Sequence, residues 1–315
     1  MRISVFGAGL MGHALALVHA LGGHQVRLTD SNPETLARAP GLMATALATL
    51  REAGEVDGSW SEARLAAAVT CCATVAAALE GAELIVEAII EKPEAKRALY
   101  AEIDALAPMD VIIASNTSYL DIFPLMPARR LPRTLIAHWY TPPYLVDLCD
   151  IVGGEQTDPA VIETVRALVA AMGKVPVVMR RFIPGYIANR IQSAISLEVN
   201  RLIDEGYATA KDVDDAVIHG LALRIPILGH MAKADFTGLL LTQAALANRM
   251  YEPPPVTGNS PSVDRLVAEG RTGVMSGRGY FDWGGRSPDE LFRERDRKLL
   301  ALKRALRDIG HMEGK

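Results

Sequence analysis

Short β-branched runs alternate with helical stretches through the first half of the chain. ISVFG (3–7), QVRLTD (25–30), LIVEAI (84–89), VIIASN (111–116), TLIAHW (134–139), DIVGG (150–154) and VPVVM (175–179) read as strands. Between them, 10–22, 33–53, 61–68, 93–107 and 158–172 read as helices, the last introduced by TDP with Pro159 near its first turn. This alternation implies a largely parallel sheet with helices on both faces. Near residue 182 the periodicity becomes helical throughout. RFIPGYIANRIQSAISLEVNRLIDEG carries one helix with Gly206 as its stop, and TAKDVDDAVIHG (209–220) starts another on a Thr cap. A helix over 231–249, a Pro/Gly-rich loop over 252–261 and a charged helix over 288–309 complete the pattern. The expected class is α/β: a doubly wound, mainly parallel sheet in residues 1–182, then an all-α domain in 183–315.

Composition narrows the partners. The chain has 315 residues, half of them hydrophobic, enough for about two domains. The formal charge is −4 and no basic block occurs, which argues against nucleic acid and anionic membrane surfaces. No apolar run reaches the ~18–20 residues of a membrane span, and the opening MRISVFGAG lacks the regions of a secretory signal. Cys71 and Cys72 are adjacent, Cys149 stands alone, and no metal-ligand spacing is present. A reduced, cytoplasmic protein without a metal is expected.

Gly7, Gly9 and Gly12 form G-x-G-x-x-G between the first strand and the first helix. The first glycine permits a tight turn, the second lets a pyrophosphate approach the backbone, and the third lets helix and strand pack closely. Leu10 and Met11 complete the loop, and the helix N-terminus offers free N–H groups to phosphates. Asp30 ends the second strand 18 positions past Gly12, where an acid can accept from both ribose hydroxyls. A Rossmann-type site for NAD is the expectation. Asp30 would repel the 2′-phosphate of NADP, although Arg27 in the same strand points the other way.

AHWYTPPYLVDLCD (137–150) poses the chemical question: His138 is either a ring packed near a proline bend or a general base with Asp150 behind it. Oxidising an alcohol needs a base for the hydroxyl proton, and histidine, with an unperturbed pKa of ~6.5, suits that task. A carboxylate on the far ring nitrogen would fix the tautomer and stabilise the imidazolium.

Four motifs in order, ASNTSYL (114–120), HWYTPPYLVDLCDIV (138–152), PGYIANRI (184–191) and GRGYFDW (277–283), resemble the 3-hydroxyacyl-CoA dehydrogenase family over nearly the whole chain. The resemblance implies that His138 is the base, Asp150 its orienting acid, and Ser118 and Asn189 the contacts to the substrate oxygen. It places Glu91 and Lys96 near the nicotinamide and ribose of NAD, and Thr141 at a contact to cofactor or substrate. It further implies a homodimer. The plainer alternatives are a solvated helix start for Glu91 and Lys96, a turn hydroxyl for Ser118 and a helix cap for Asn189. The chain also departs from the family pattern. Asp150 stands where Glu is usual, Thr141 where Asn precedes the Pro, His230 where Pro is usual, and Met275 to Arg278 where a KTG run is expected.

The substrate is either a CoA thioester or a free hydroxy acid. Acyl-CoA members of the family commonly carry basic residues on the helical arm after the second strand. Here 41–70 holds only Arg51 and Arg64 against Glu52, Glu55, Asp57 and Glu62, a poor surface for a polyanion. Arg224, ahead of a proline turn, resembles an arginine of the gulonate and carnitine dehydrogenases and could grip a carboxylate, or could form a surface salt bridge. The expectation is a free 3-hydroxy acid, with 3-hydroxyacyl-CoA as the alternative. A third reading is a NAD-binding structural protein like the lens crystallin relatives, against which the retained Ser118, His138 and Asn189 argue.

Overall fold

A computed structural model describes residues 1–249 and 251–312. The chain divides into two compact units, Met1–Arg190 and Ile191–Lys315.

The first unit opens with β1 (Arg2–Phe6), α1 (Gly12–Leu21), β2 (Gln25–Thr29), α2 (Pro33–Glu52), α3 (Glu62–Ala68) and β3 (Val69–Cys72). It continues with α4 (Val75–Leu79), β4 (Leu84–Glu87), α5 (Pro93–Leu106), β5 (Ile112–Ser115), β6 (Thr134–Trp139), β7 (Leu148–Gly153), α6 (Pro159–Ala171) and β8 (Val175–Met179). Among the described residues the sheet has eight strands in the order β3-β2-β1-β4-β5-β6-β7-β8. All neighbours are parallel except β6 and β7. The chain reverses its winding between β1 and β4, and ligands of such sheets bind outside the carboxyl ends of the strands at that point. Gly7, directly after β1, sits there.

Helix starts follow side-chain chemistry. Asn32 accepts from the N–H groups of Glu34 and Thr35 to cap α2, Ser61 caps α3, and Asp158 caps α6 ahead of Pro159. β3 and α4 escaped the periodic reading because they are four and five residues long. Ile85, Ile113 and Ile136 from three adjacent strands, with Tyr100 and Ile103 of α5, form a fully buried core layer. Beneath it Glu87 Oε1 meets Lys96 Nζ at 2.6 Å, while Oε2 accepts from Tyr100 and Ser115, each at 2.6 Å. Residues 183–190 pack with this first unit: Tyr186 is fully buried and Gly185 N donates to Ser118 O.

The second unit is helical: α7 (Ala188–Asp204, its first turn within the first unit), α8 (Ala210–Ala216), α9 (Ile225–Thr237), α10 (Leu239–Ala247), α11 (Pro261–Ala268) and α12 (Pro288–Ile309). Gly206 adopts φ 75° past the end of α7, the left-handed geometry its position calls for. Thr209 and Asp212 form a capping box at α8, as do Ser287 and Glu290 at α12. After α8 the chain continues as a π-helix over Val217–Ala222. The helix expected over 231–249 follows a kink at Gly229, where φ is 66°, and is broken at Gly238, where φ is 99°. Asp204 ties α7 to the start of α11 by accepting from Ser262 N and Ser260 Oγ.

Candidate active site

The glycine turn is built for close approach. A Cβ on Gly12 would lie 1.6 Å from Gly7 O, and one on Gly7 would lie 2.5 Å from Ala88 O. Beside Gly9 nothing lies within 4 Å, so that face of the turn is open to a ligand. Asp30 Oδ2 accepts from Ala8 N at 2.6 Å and Oδ1 from Asn32 N at 2.8 Å, which aligns the carboxylate at the end of β2. Gly7, Gly9, Asp30, Ile89, Ile90 and Leu99 help line a pocket of about 490 Å³. Arg27 donates to Ala77 O and pairs with Glu80 at 2.8 Å, so its guanidinium is already engaged. A dinucleotide fits this cradle: backbone N–H groups at the start of α1 for the pyrophosphate, Asp30 for a ribose.

His138 and Asp150 face each other across the antiparallel β6–β7 pair. Both are buried, at 3% and 0% exposure. His138 Nε2 lies 3.2 Å from Ser118 Oγ, within hydrogen-bond reach. On the other side, Nδ1 lies 3.7 Å from Asp150 Oδ2, too long for a direct bond. Oδ2 is held instead by Tyr140. Tyr140 and Tyr186 enclose the imidazole, each with its ring centroid at 4.6 Å. Tyr140 Oη donates to Asp150 Oδ2 at 2.6 Å, and Tyr186 Oη to Thr117 O at 2.6 Å. Tyr186 holds φ 49°, an uncommon backbone for a bulky residue and a mark of local constraint.

Glu91 organises the turn that carries Ser118. Its Oε1 accepts from Thr117 Oγ1 at 2.7 Å and from the N–H groups of Ser118, Tyr119 and Leu120 at 2.9, 2.8 and 3.0 Å. Burial pushes this carboxyl up, but those hydrogen bonds and the nearby Lys96 charge outweigh it and hold the pKa below the usual range. Lys96 is neither solvated nor at a surface; its ammonium is fully buried against Glu87. Thr141 Oγ1 reaches Met11 Sδ at 3.0 Å and so touches the glycine loop, while Leu10 is exposed. Asn189 lies in the first turn of α7, where the backbone of Asn189 and Ala188 hydrogen-bonds to the Tyr140 oxygen. Arg224 is exposed at the start of α9 in the helical unit. Among the described residues no His, Cys, Asp or Glu cluster could hold a metal ion, and no helix is long and apolar enough to cross a membrane.

Ser118, His138 and Asp150 thus come together as the motifs imply, with Glu91 behind the Ser118 turn. Sequence reasoning missed Tyr140, Tyr186 and Asn116, whose Oδ1 accepts from Trp139 N at 2.7 Å beside His138. Tyr140 was findable: a phenol at the end of a strand, two positions from the histidine, needs a partner when buried.

The model of the 3-hydroxyacyl-CoA dehydrogenase NAD-binding domain matches residues 2–182, and that of its C-terminal domain matches 185–283. The 5-formyl-3-hydroxy-2-methylpyridine 4-carboxylate 5-dehydrogenase of Mesorhizobium japonicum is 30% identical, over 97% of this chain and 98% of its own. An L-carnitine dehydrogenase of Nocardiopsis dassonvillei is 32% identical, over 99% and 93%. A crystal structure of an enzyme of the first kind, described as an NAD⁺-dependent dismutase, superposes with a TM-score of 0.86 at 29% identity, covering 97% of this chain and 98% of that one. The chain belongs to the 3-hydroxyacyl-CoA dehydrogenase family and is an NAD-dependent oxidoreductase acting on a CH–OH group.

Proposed function

We propose that this enzyme interconverts a free 3-hydroxy acid and its 3-oxo form, with His138 as the general base. The observation that carries the chemistry is the buried imidazole 3.2 Å from Ser118 Oγ. A substrate hydroxyl bound between these two groups can hand its proton to Nε2 while Ser118 steadies the oxygen. Asn189 supplies the second hydrogen bond to that oxygen. Asp150 sets the tautomer and stabilises the imidazolium. NAD, held by the glycine turn and Asp30, would supply the acceptor for the carbinol hydride. Glu91 acts on Ser118 only through the turn it holds.

Two observations favour the free acid over the thioester. Two of the most similar relatives are named for free acids, carnitine and a pyridine carboxylate. Residues 41–70 lack a basic surface, and Arg64 is spent on Ser59 and on the face of Trp60, 4.3 Å from the ring centroid. Arg224 is the candidate cation for the substrate carboxylate. The first test is NADH formation from NAD and a panel of 3-hydroxy acids. Turnover supports the reading. Intact NAD binding with no turnover on any hydroxy acid or its CoA ester would instead favour a structural, crystallin-like role.

Asp30 underlies an expected preference for NAD over NADP. Asp30→Ala should narrow the ratio of kcat/KM values by on the order of tenfold, the scale of one close charge repulsion near a protein surface. The NAD value should fall as well, because Ala8 N loses its acceptor. A wild type that prefers NADP would contradict this assignment.

The helical unit is proposed to pair with a second copy in a homodimer. α7 has no buried residue, and Ile191, Ile195, Leu221, Met231, Phe236 and Leu240 are all exposed. So much contiguous-helix apolar surface calls for a partner, and a two-fold pair of identical faces is the commonest solution. Light scattering at micromolar concentration should give twice the chain mass; a monomer mass would refute it. A cytoplasmic location goes with this reading.

A further inference from the structure

Asp150 is claimed by two donors at once. Tyr140 Oη holds Oδ2 at 2.6 Å, whereas His138 Nδ1 stands 3.7 Å from the same oxygen. Asp150 Oδ1 and His138 Nδ1 are both buried and have no hydrogen-bond partner. Buried polar atoms of this kind are rarely left so without a functional reason. The Tyr140 ring meets the imidazole edge-on at 4.6 Å, and its oxygen also takes backbone hydrogen bonds from Asn189 and Ala188 at the start of α7.

We propose that Tyr140 is a positioning residue for His138: it holds Asp150 through Oδ2, the oxygen that also faces Nδ1, and so sets how strongly Asp150 draws a proton onto His138. A phenol donating to a carboxylate withdraws part of its negative charge, so the imidazolium that forms is stabilised less than by an unengaged carboxylate. An aspartate freed from the phenol would be a stronger acceptor for the imidazole N–H, and the anchor weakens that pull.

The titratable groups around the imidazole are Asp150 and Cys149 from β7, Tyr140 after β6, and Tyr186 from 183–190, with Glu91 and Asp121 acting on Tyr186 from farther out. Burial, then the Asp150 hydrogen bond and charge, push the Tyr140 phenol far above its ordinary value, so it remains a donor across the working pH range.

Only the catalytic consequence rests on His138 being the base; the anchoring does not. The test is an NMR titration of the ¹⁵N-labelled histidine rings in the cofactor-free full chain, with the His138 signal assigned by its loss in His138→Gln. Tyr140→Phe keeps the ring contacts and should raise the His138 midpoint by on the order of one pH unit. Replacing Tyr140 by 3-fluorotyrosine, a stronger donor of nearly the same shape, should move it down, and this covers the case in which the phenylalanine variant fails to fold. A midpoint that is unchanged by either replacement, or that falls in Tyr140→Phe, would overturn the proposal. In steady state the acid limb of kcat should shift with the midpoint, with kcat changing more than either KM. A shifted midpoint in a protein that turns over no hydroxy acid would count against the proposed function alone and support the anchoring.

Discussion

Replacing His138 by glutamine is expected to lower kcat by at least about 10²-fold, since general-base terms are worth ~10²–10⁴. Glutamine keeps a polar side chain of similar reach, so the packing between Tyr140 and Tyr186 is only mildly disturbed. NAD affinity, read by quenching or by NADH fluorescence, should change little, because the glycine turn and Asp30 lie on other strands. A loss confined to kcat marks an interaction made in the transition state rather than in ground-state binding. Turnover near that of the wild type would remove His138 from the mechanism. Asp150→Asn should also be slow, since an amide facing Nδ1 favours the wrong tautomer and leaves Tyr140 without its carboxylate.

The second large effect concerns Arg224. If bound substrate buries the guanidinium, exposed in the free chain, against its carboxylate, Arg224→Met leaves that anion uncompensated, which costs ~2–5 kcal/mol for a buried hydrogen-bonded pair. On a free 3-hydroxy acid kcat/KM should then fall by about 30-fold or more, the lower end of that range. A 3-hydroxyacyl-CoA, whose thioester carries no charge at that position, should be spared. Equal kcat/KM in wild type and variant for the free acid would leave Arg224 as a surface cation.

Most of the sheet was legible because its strands are rich in Val and Ile, with β4, β5 and β6 buried throughout, and because capped helices separate them. The glycine turn and Asp30 were legible for the same local reason: close backbone approach and a strand-end acid leave a fixed spacing in the sequence. What could not be read is what depends on partners brought from a distance. Lys96 looked like a helix-start cation facing a ligand or water, and only the fold shows Glu87 beneath it at 2.6 Å. Glu91 was read as a cofactor contact, and only the fold shows its Oε1 holding four donors of the 117–120 turn. Aspartate in place of glutamate left direct contact between His138 and Asp150 open in the sequence. That a tyrosine two residues from the histidine takes the carboxylate instead needed coordinates. In the second unit, Gly238 broke a helix that apolar periodicity alone would have continued, because no side-chain pattern reports a left-handed φ.

The substrate class is tested most directly by one comparison: kcat/KM of the wild-type enzyme with NAD for a free 3-hydroxy acid and for the CoA thioester of the same acid, followed as NADH absorbance. A higher value for the free acid is the predicted result. A higher value for the thioester would contradict the account and make this enzyme a 3-hydroxyacyl-CoA dehydrogenase in substrate as well as in family.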